Sequence, residues 1–361
     1  MLQRKPFVFF VLLCATAIGV FSRASWILNV YQDFFLPQNE SVCSCNKCLM
    51  EYDPWLSELM KESPEPFLSP TNNISENTFN WWKGIQTDRR NFALYNKTVD
   101  KVFQIFPPKV NFTRSSPDLC RTCAVVGNSG NLNGSHYGPL IDFHDIVIRI
   151  NRGPTKGFER DVGNKTTYHV MYPRSFKNLD NTTHLVFFPF KIYDLQWLIR
   201  SFTQRQKETA KSGLKTNTDM VMILSPAFMK YVHYVWLKKH GRYPSTGFLT
   251  LVLSLYLCDE VDVFGFGADK NGNWNHYYEQ IKNKRLKTGQ HPGRVEYQYI
   301  EKLHKQRKIH FFRGCRRPHH KTPYGVEKGL AAATVELHSS RKHVISTVAV
   351  NTHGYRGSLA S

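Results

Sequence analysis

Residues 120–131 read Cys-Arg-Thr-Cys-Ala-Val-Val-Gly-Asn-Ser-Gly-Asn. Ala124-Val125-Val126 is a short apolar run between turn-formers, the pattern of a buried strand. Behind it, Gly127-Asn128-Ser129-Gly130-Asn131 is a turn whose backbone N–H groups can be left pointing outward. A helical turn is expected next, and then a second strand pattern over 145–150 (Asp-Ile-Val-Ile-Arg-Ile) that ends at Asn151-Arg152-Gly153. Strand, Gly/Asn turn, connector, strand and polar end is the layout of a nucleotide-binding α/β crevice, where ligands sit beyond the carboxyl ends of strands. On its own the glycine-rich turn is equally an ordinary tight turn.

Working outward, a second informative stretch runs over 240–269, from His240-Gly-Arg-Tyr-Pro-Ser-Thr-Gly247 to Cys258-Asp-Glu-Val-Asp-Val-Phe-Gly-Phe-Gly-Ala-Asp269. Ser245 and Thr246 are N-cap types, and the apolar run after them is too short to span a bilayer but suits a core helix. Val261-Asp-Val-Phe264 then reads as a strand. A Tyr-Pro-Ser-Thr-Gly turn therefore opens a helix, where free N–H groups and the helix dipole favour a phosphate or carboxylate. Further strands are expected at 184–190, 220–224 and 310–314, and helices at 194–202 and 229–239. The Trp81-Trp82 pair reads as core. His276 and His291 lie in Gly- and aromatic-rich loops downstream of the candidate anion site.

The 361 residues are 41% apolar and 14% aromatic, enough for a sizeable core and against global disorder. A formal charge of +20 implies acidic partners: nucleic acid, an anionic membrane surface or an anionic small substrate. Seven Asn-X-Ser/Thr sequons, at Asn39, Asn73, Asn96, Asn111, Asn133, Asn164 and Asn181, favour a lumenal or secreted chain and oppose a nucleic-acid binder. Arg4-Lys5-Pro6 precedes an apolar run over 7–21, read as an uncleaved anchor with its basic end cytoplasmic. A cleaved signal peptide with Ala15-Thr16-Ala17 as cleavage site is the alternative. Six cysteines (Cys43, Cys45, Cys48, Cys120, Cys123 and Cys258) suffice for three bridges in an oxidising compartment. The expected organisation is a cytoplasmic tail (1–6), a signal-anchor (7–24), a stem with the Cys cluster (25–78), a catalytic domain (79–314) and a basic, His-rich, poorly ordered tail (315–361).

Taken together, these stretches resemble the eukaryotic sialyltransferases. Cys123-Ala-Val-Val-Gly-Asn-Ser-Gly-Asn131 through Asn151 and Asp161-Val-Gly163 is similar to the large sialylmotif, and the 240–269 stretch to the small one. His276-Tyr-Tyr-Glu279 resembles the third motif, and His291 with Glu296 the very small motif, H-x4-E. The similarity covers about residues 40 to 314 in the family's order. The Tyr-Pro-Ser-Thr-Gly wording and the C-x-C-x-x-C cluster resemble the beta-galactoside alpha-2,3-sialyltransferases acting on Gal-beta-1,3-GalNAc.

The resemblance implies an α/β fold, a variant of the Rossmann-like glycosyltransferase architecture. Its single central, mostly parallel sheet is flanked by helices and preceded by an N-terminal transmembrane helix. It implies inverting transfer of sialic acid from CMP-sialic acid to galactose-terminated glycoprotein or glycolipid acceptors. His291 would be the base and His276 the phosphate contact. Asn128, Asn151, Tyr243, Ser245, Thr246, Gly247 and Gly267 would bind the donor, and Gln86 the acceptor. No cofactor and no metal are implied, and Asp259-Glu-Val-Asp262, at the start of a strand, reads as structural. The family pattern pairs Cys43 with Cys48, Cys45 with Cys120 and Cys123 with Cys258, and it places the chain in the Golgi membrane as a single-pass type II protein. It also allows a homodimer. Asn275-His276 departs from a His-His pair in close relatives, the 204–219 loop lacks their tyrosine, and relatives end near Arg313-Gly314. A transferase of another linkage, or a lumenal glycan-binding protein without turnover, is the alternative.

Overall fold

The computed structural model describes residues 44–45, 48–49, 53–71, 73–108, 118–203, 217–268, 274–279 and 289–314. Seven strands among them form one sheet: β1 (Thr122–Val126), β2 (Ile146–Ile150), β3 (Tyr168–Met171), β4 (His184–Phe187), β5 (Val221–Ile223), β6 (Glu260–Phe264) and β7 (His310–Phe312). Their order is β5-β4-β3-β2-β1-β6-β7, and every neighbouring pair is parallel. The sheet is thus parallel throughout rather than mostly parallel. Successive strands are joined by crossovers that carry helices onto its faces, so strands such as Cys123-Ala-Val-Val126 are apolar on both sides.

The helices are α1 (Pro54–Met60), α2 (Glu76–Ile85), α3 (Phe92–Ile105), α4 (Gly138–Phe143), α5 (Glu159–Val162), α6 (Ile192–Thr203), α7 (Pro226–Tyr231), α8 (Thr246–Leu257) and α9 (Gly293–Lys305). From β1 to β5 the chain winds in one direction. It then returns through α8 to lay β6 on the other side of β1. That reversal opens a crevice beyond the carboxyl ends of β1, β2 and β6. The helix that makes the return is apolar all round and buried along most of its length, as expected of a helix enclosed on every side. Its two buried hydroxyls are satisfied internally: Thr250 Oγ1 donates to Thr246 O and Ser254 Oγ to Leu251 O.

Two disulfides hold this frame, Cys45–Cys120 and Cys123–Cys258. Cys48 is also disulfide-bonded, while Cys43 lies outside the described residues. The carboxylates of the Asp259–Asp262 segment are structural. Asp259 pairs with Arg121 at 3.2 Å, and Asp262 pairs with His144 at 3.1 Å and His310 at 2.9 Å.

The folded body begins upstream of Phe79. Asp53 caps α1 by accepting from Leu56 N at 2.9 Å, Leu56 and Leu59 are buried, and Lys308 reaches back to Asp53 at 3.6 Å. Tyr231 Oη donates to Leu59 O, and Phe67 bridges to Leu224. Trp82 is fully buried with its indole N–H on Pro189 O, and Trp81 packs on His233, so the Trp pair is core. Asn73, Asn96, Asn133, Asn164 and Asn181 are exposed; Asn39 and Asn111 lie outside the described residues. Among the described residues no helix is long and apolar enough to cross a membrane. The expected anchor and the 315–361 tail fall outside them.

Candidate active site

Four of the five backbone amides in the turn after β1 are taken up within the protein, contrary to the expectation from its glycines. Gly127 N donates to Phe264 O at 2.8 Å, Ser129 N to Gly265 O at 2.9 Å, and Gly130 N to Asn275 O at 2.7 Å. Asn131 N donates to Ser129 Oγ. The glycines serve close approach: a Cβ on Gly127 would stand 2.3 Å from Gly265 O. These bonds stitch the ends of β1 and β6 together, and they hold the 275–277 segment against the turn. Tyr277 N donates to Asn128 O at 3.0 Å, and Ser129 and His276 form an antiparallel bridge. His276 is thereby seated over the mouth of the turn, with Nδ1 3.2 Å from Glu279 Oε2.

What the crevice does offer is side-chain amide. Asn128 Nδ2 donates to Ile150 O at 2.9 Å, tying the ends of β1 and β2. Asn151 follows β2 in the left-handed region (φ 57°), where asparagine is among the few tolerated residues. Its N donates to Val170 O, its O accepts from His169 Nε2, and its Oδ1 is buried without a hydrogen-bond partner. A buried amide oxygen left unpaired is costly, and the fold bears that cost at this position. His169 escaped the sequence reading. Burial drives its pKa down to about 3, so it stays neutral and holds the strained Asn151 backbone through one N–H. As a lone histidine in a strand, it carried no signal in the sequence.

Three adjoining pockets converge on Gly247, in the first turn of α8. The largest, about 470 Å³, is lined by Gln86, Asn151, Tyr172, Arg174, Phe190, Lys191, Tyr243, Ser245, Thr246 and His291 among others. A second, about 180 Å³, holds Asn128, Asn151, Gly267 and His276. The third, about 230 Å³, holds Ser245, Gly267, His291 and Glu296. Every sequence-named site residue therefore lies in one continuous crevice at the strand-order reversal. Gly267 has φ 88°, and a Cβ there would meet the Tyr297 ring at 2.7 Å. Ser245 caps α8, its Oγ accepting from Phe248 N at 3.1 Å. The amides of Thr246 and Gly247 remain at the positive end of the helix dipole, a setting for an anion.

His291 Nδ1 lies 3.2 Å from Tyr243 O, and its ring stands edge-on to the Tyr243 ring at 4.7 Å. A carbonyl only accepts, so Nδ1 carries the proton and Nε2 is the basic nitrogen. Burial holds the imidazole below its ordinary pKa, which keeps it neutral at physiological pH. Tyr243 Oη in turn accepts from Gln86 Nε2 at 3.0 Å, so Gln86, Tyr243 and His291 form one connected wall. Phe190 packs on Tyr243 and Tyr172 on Phe190, extending the wall with residues the sequence reading did not single out.

Glu296 is buried in the first turn of α9, and its Oε1 accepts from Ser245 N at 2.7 Å. It thus couples the His291 segment to the cap of α8. Burial pushes its pKa up to about 7. The sign follows: the folded state favours the protonated acid, so this contribution is full below about pH 4.5 and lost as pH rises through about 7. Glu296→Gln removes the titration, and its melting temperature relative to the parent is expected to rise from pH 5 to pH 8. A difference that stays constant between those pH values would refute this role.

The comparisons with known proteins agree with this geometry. Residues 67–308 match the family model for glycosyltransferase family 29 (sialyltransferase). The chain belongs to the sialyltransferases of that family. It is 43% identical over 282 residues to CMP-N-acetylneuraminate-beta-galactosamide-alpha-2,3-sialyltransferase 1 of Sus scrofa, covering 75% of this chain and 82% of the relative. To the corresponding sialyltransferase 2 of Rattus norvegicus it is 41% identical over 281 residues, covering 75% and 80%. A mammalian sialyltransferase crystallised in complex with Gal-beta-1-3GalNAc-ortho-nitrophenol has 40% identity and a TM-score of 0.66, covering 76% of this chain and 100% of that one. In this sialyltransferase the fold's crevice, the four motifs and the family match coincide.

Proposed function

We propose that this sialyltransferase transfers sialic acid from CMP-sialic acid to the 3-hydroxyl of a terminal galactose, as in Gal-beta-1,3-GalNAc of O-glycans or glycolipids. His291 Nε2 takes the proton of the attacking hydroxyl, and the Tyr243 carbonyl fixes the tautomer that makes this nitrogen basic. The observation that carries the reading is this His291–Tyr243–Gln86 wall, facing the same cleft as the α8 N-terminus. Asn128 and Asn151 hold the nucleotide portion. Ser245, Thr246 and Gly247 receive the donor's anionic groups with the helix dipole behind them. His276 meets the phosphate as it departs, while Tyr243 and Gly267 shape the donor's surroundings. Gln86 orients the acceptor galactose. Attack opposite to the leaving phosphate inverts the anomeric centre, and His276 with the α8 amides supplies the leaving-group stabilisation without a metal.

The apolar run at 7–21, the sequons and the disulfides support a type II membrane protein with its catalytic domain in the Golgi lumen. The test is incubation of the full chain in detergent with CMP-sialic acid and Gal-beta-1,3-GalNAc, Gal-beta-1,4-GlcNAc or glycolipid acceptors, with and without chelator. Transfer to the first acceptor, unaffected by chelator, is expected. No transfer to any acceptor by folded protein would sink the assignment, and loss on chelation would sink the metal-free mechanism.

A further inference from the structure

The most exposed large apolar side chain among the described residues is Phe143, the last residue of α4, at 82%. The other exposed aromatics are engaged: Tyr193 lies under the Arg200 guanidinium, and Tyr234 under the Lys239 ammonium. Phe143 packs on neither apolar cluster of the core and makes no ring or cation contact among the described residues. Its two chain neighbours are both tied to one sequon, Asn164-Lys165-Thr166. The Asp142 carboxylate accepts from Asn164 N at 2.8 Å and from Lys165 N at 2.9 Å, and Lys165 Nζ donates to His144 O. Gly163 precedes the sequon at φ 71°, and a Cβ there would stand 2.2 Å from Asp142 Oδ1. The turn that carries Asn164 is therefore fixed against the end of α4. Asn164 itself is exposed, and its side-chain amide makes no hydrogen bond among the described residues.

We propose that Asn164 carries an N-linked glycan whose first N-acetylglucosamine lies over the Phe143 ring and takes it out of water. The proposal rests on the lumenal reading above, since that compartment supplies the modification. Asn164 Nδ2 displaces the diphosphate of a lipid-diphosphate-linked oligosaccharide. The Nδ2–C1 bond forms, the C1–O bond breaks, the diphosphate leaves with the electron pair, and Nδ2 gives up one proton. Because the Asp142 carboxylate holds the Asn164 backbone, the attached sugar starts beside the residue that follows Asp142 in the chain. One face of the sugar ring is a row of C–H groups, which suits the electron-rich face of phenylalanine. The modification thereby closes an apolar surface that the polypeptide leaves to water.

The test starts from the full chain made in a secretory eukaryotic cell and kept in detergent. Enzymatic removal of N-glycans in heavy-oxygen water marks every occupied asparagine as labelled aspartate, and peptide mass spectrometry then reads Asn164 against the other sequons. Most copies are expected to be labelled at Asn164. Asn164→Gln and Phe143→Ser should each lower the melting temperature by about 3 °C. In the Asn164→Gln background, Phe143→Ser should then change it by less than about 1 °C, because ring and sugar act as a pair. Turnover is expected to stay at the parental value in every variant, since neither residue lines the crevice. Label at other sequons but not at Asn164 would overturn the proposal and leave the lumenal reading in place, whereas label at none would overturn both. An occupied Asn164 with additive losses would overturn the contact with Phe143. A bare Asn164, together with a dimer that Phe143→Ser converts to monomers in light scattering, would give the ring to a second copy of the chain instead.

Discussion

His291→Ala is expected to lower kcat by about 10³-fold while leaving CMP affinity within about threefold of the parent. The size of the effect follows from how the ring is held. Tyr243 O takes the Nδ1 proton, the Tyr243 ring fixes the plane edge-on at 4.7 Å, and burial keeps the imidazole neutral. Alanine removes the base and leaves the nucleotide pocket of Asn128, Asn151 and His276 intact, because His291 does not line that pocket. Turnover with saturating donor and acceptor, paired with calorimetric titration of CMP, separates the two. Added imidazole should restore part of the rate at the vacated position. Residual turnover above a tenth of the parent would remove His291 from the role of base. For the parent, the acid limb of the rate profile should fall below the pH at which a free imidazole titrates, since its charged form is disfavoured in the fold.

Much of this was legible in the chain because it is local. The strand over 122–126 and the Ser245-capped helix announce themselves through apolar runs next to turn and cap residues, and both stand where expected. The Asp259–Asp262 pair was read as structural, and its partners Arg121, His144 and His310 account for it. What the residues could not convey is long-range. The turn over 127–131 was read as able to leave its amides outward, but the acceptors of Gly127, Ser129 and Gly130 (Phe264 O, Gly265 O and Asn275 O) come from more than 130 positions away. The upstream start of the body depends on Asp53 meeting Lys308, and the Gln86 hydrogen bond on Tyr243, pairings with no spacing to betray them. The Cys123–Cys258 bridge came from resemblance to a family, since six cysteines alone admit fifteen pairings.

Cys123→Ser, or the double replacement with Cys258→Ser, is expected to cost about 5 kcal/mol of folding stability, because the bridge closes 135 residues in the unfolded chain. The consequence for activity goes beyond that figure. Cys123 enters β1, which delivers the Asn128 turn, and Cys258 ends α8, whose other end is the Ser245–Gly247 anion site. Cys258 then passes directly into β6, whose Phe264 and Gly265 carbonyls hold that turn. One covalent link therefore fixes the register between the nucleotide half and the anion half of the crevice. Parallel β1–β6 pairing remains without it, and Arg121 still bonds Asp259 next to the lost bridge. The serine variants should accordingly keep the fold at low temperature, melt well below the parent, and show a raised KM for CMP-sialic acid before they show lost secondary structure. Thermal melts followed by far-ultraviolet circular dichroism, with donor kinetics at 20 °C, test both parts. A variant with parental melting temperature would refute the stabilising role. A variant that melts early but keeps the parental donor KM at low temperature would confine the bridge to stability and remove it from the alignment of the site.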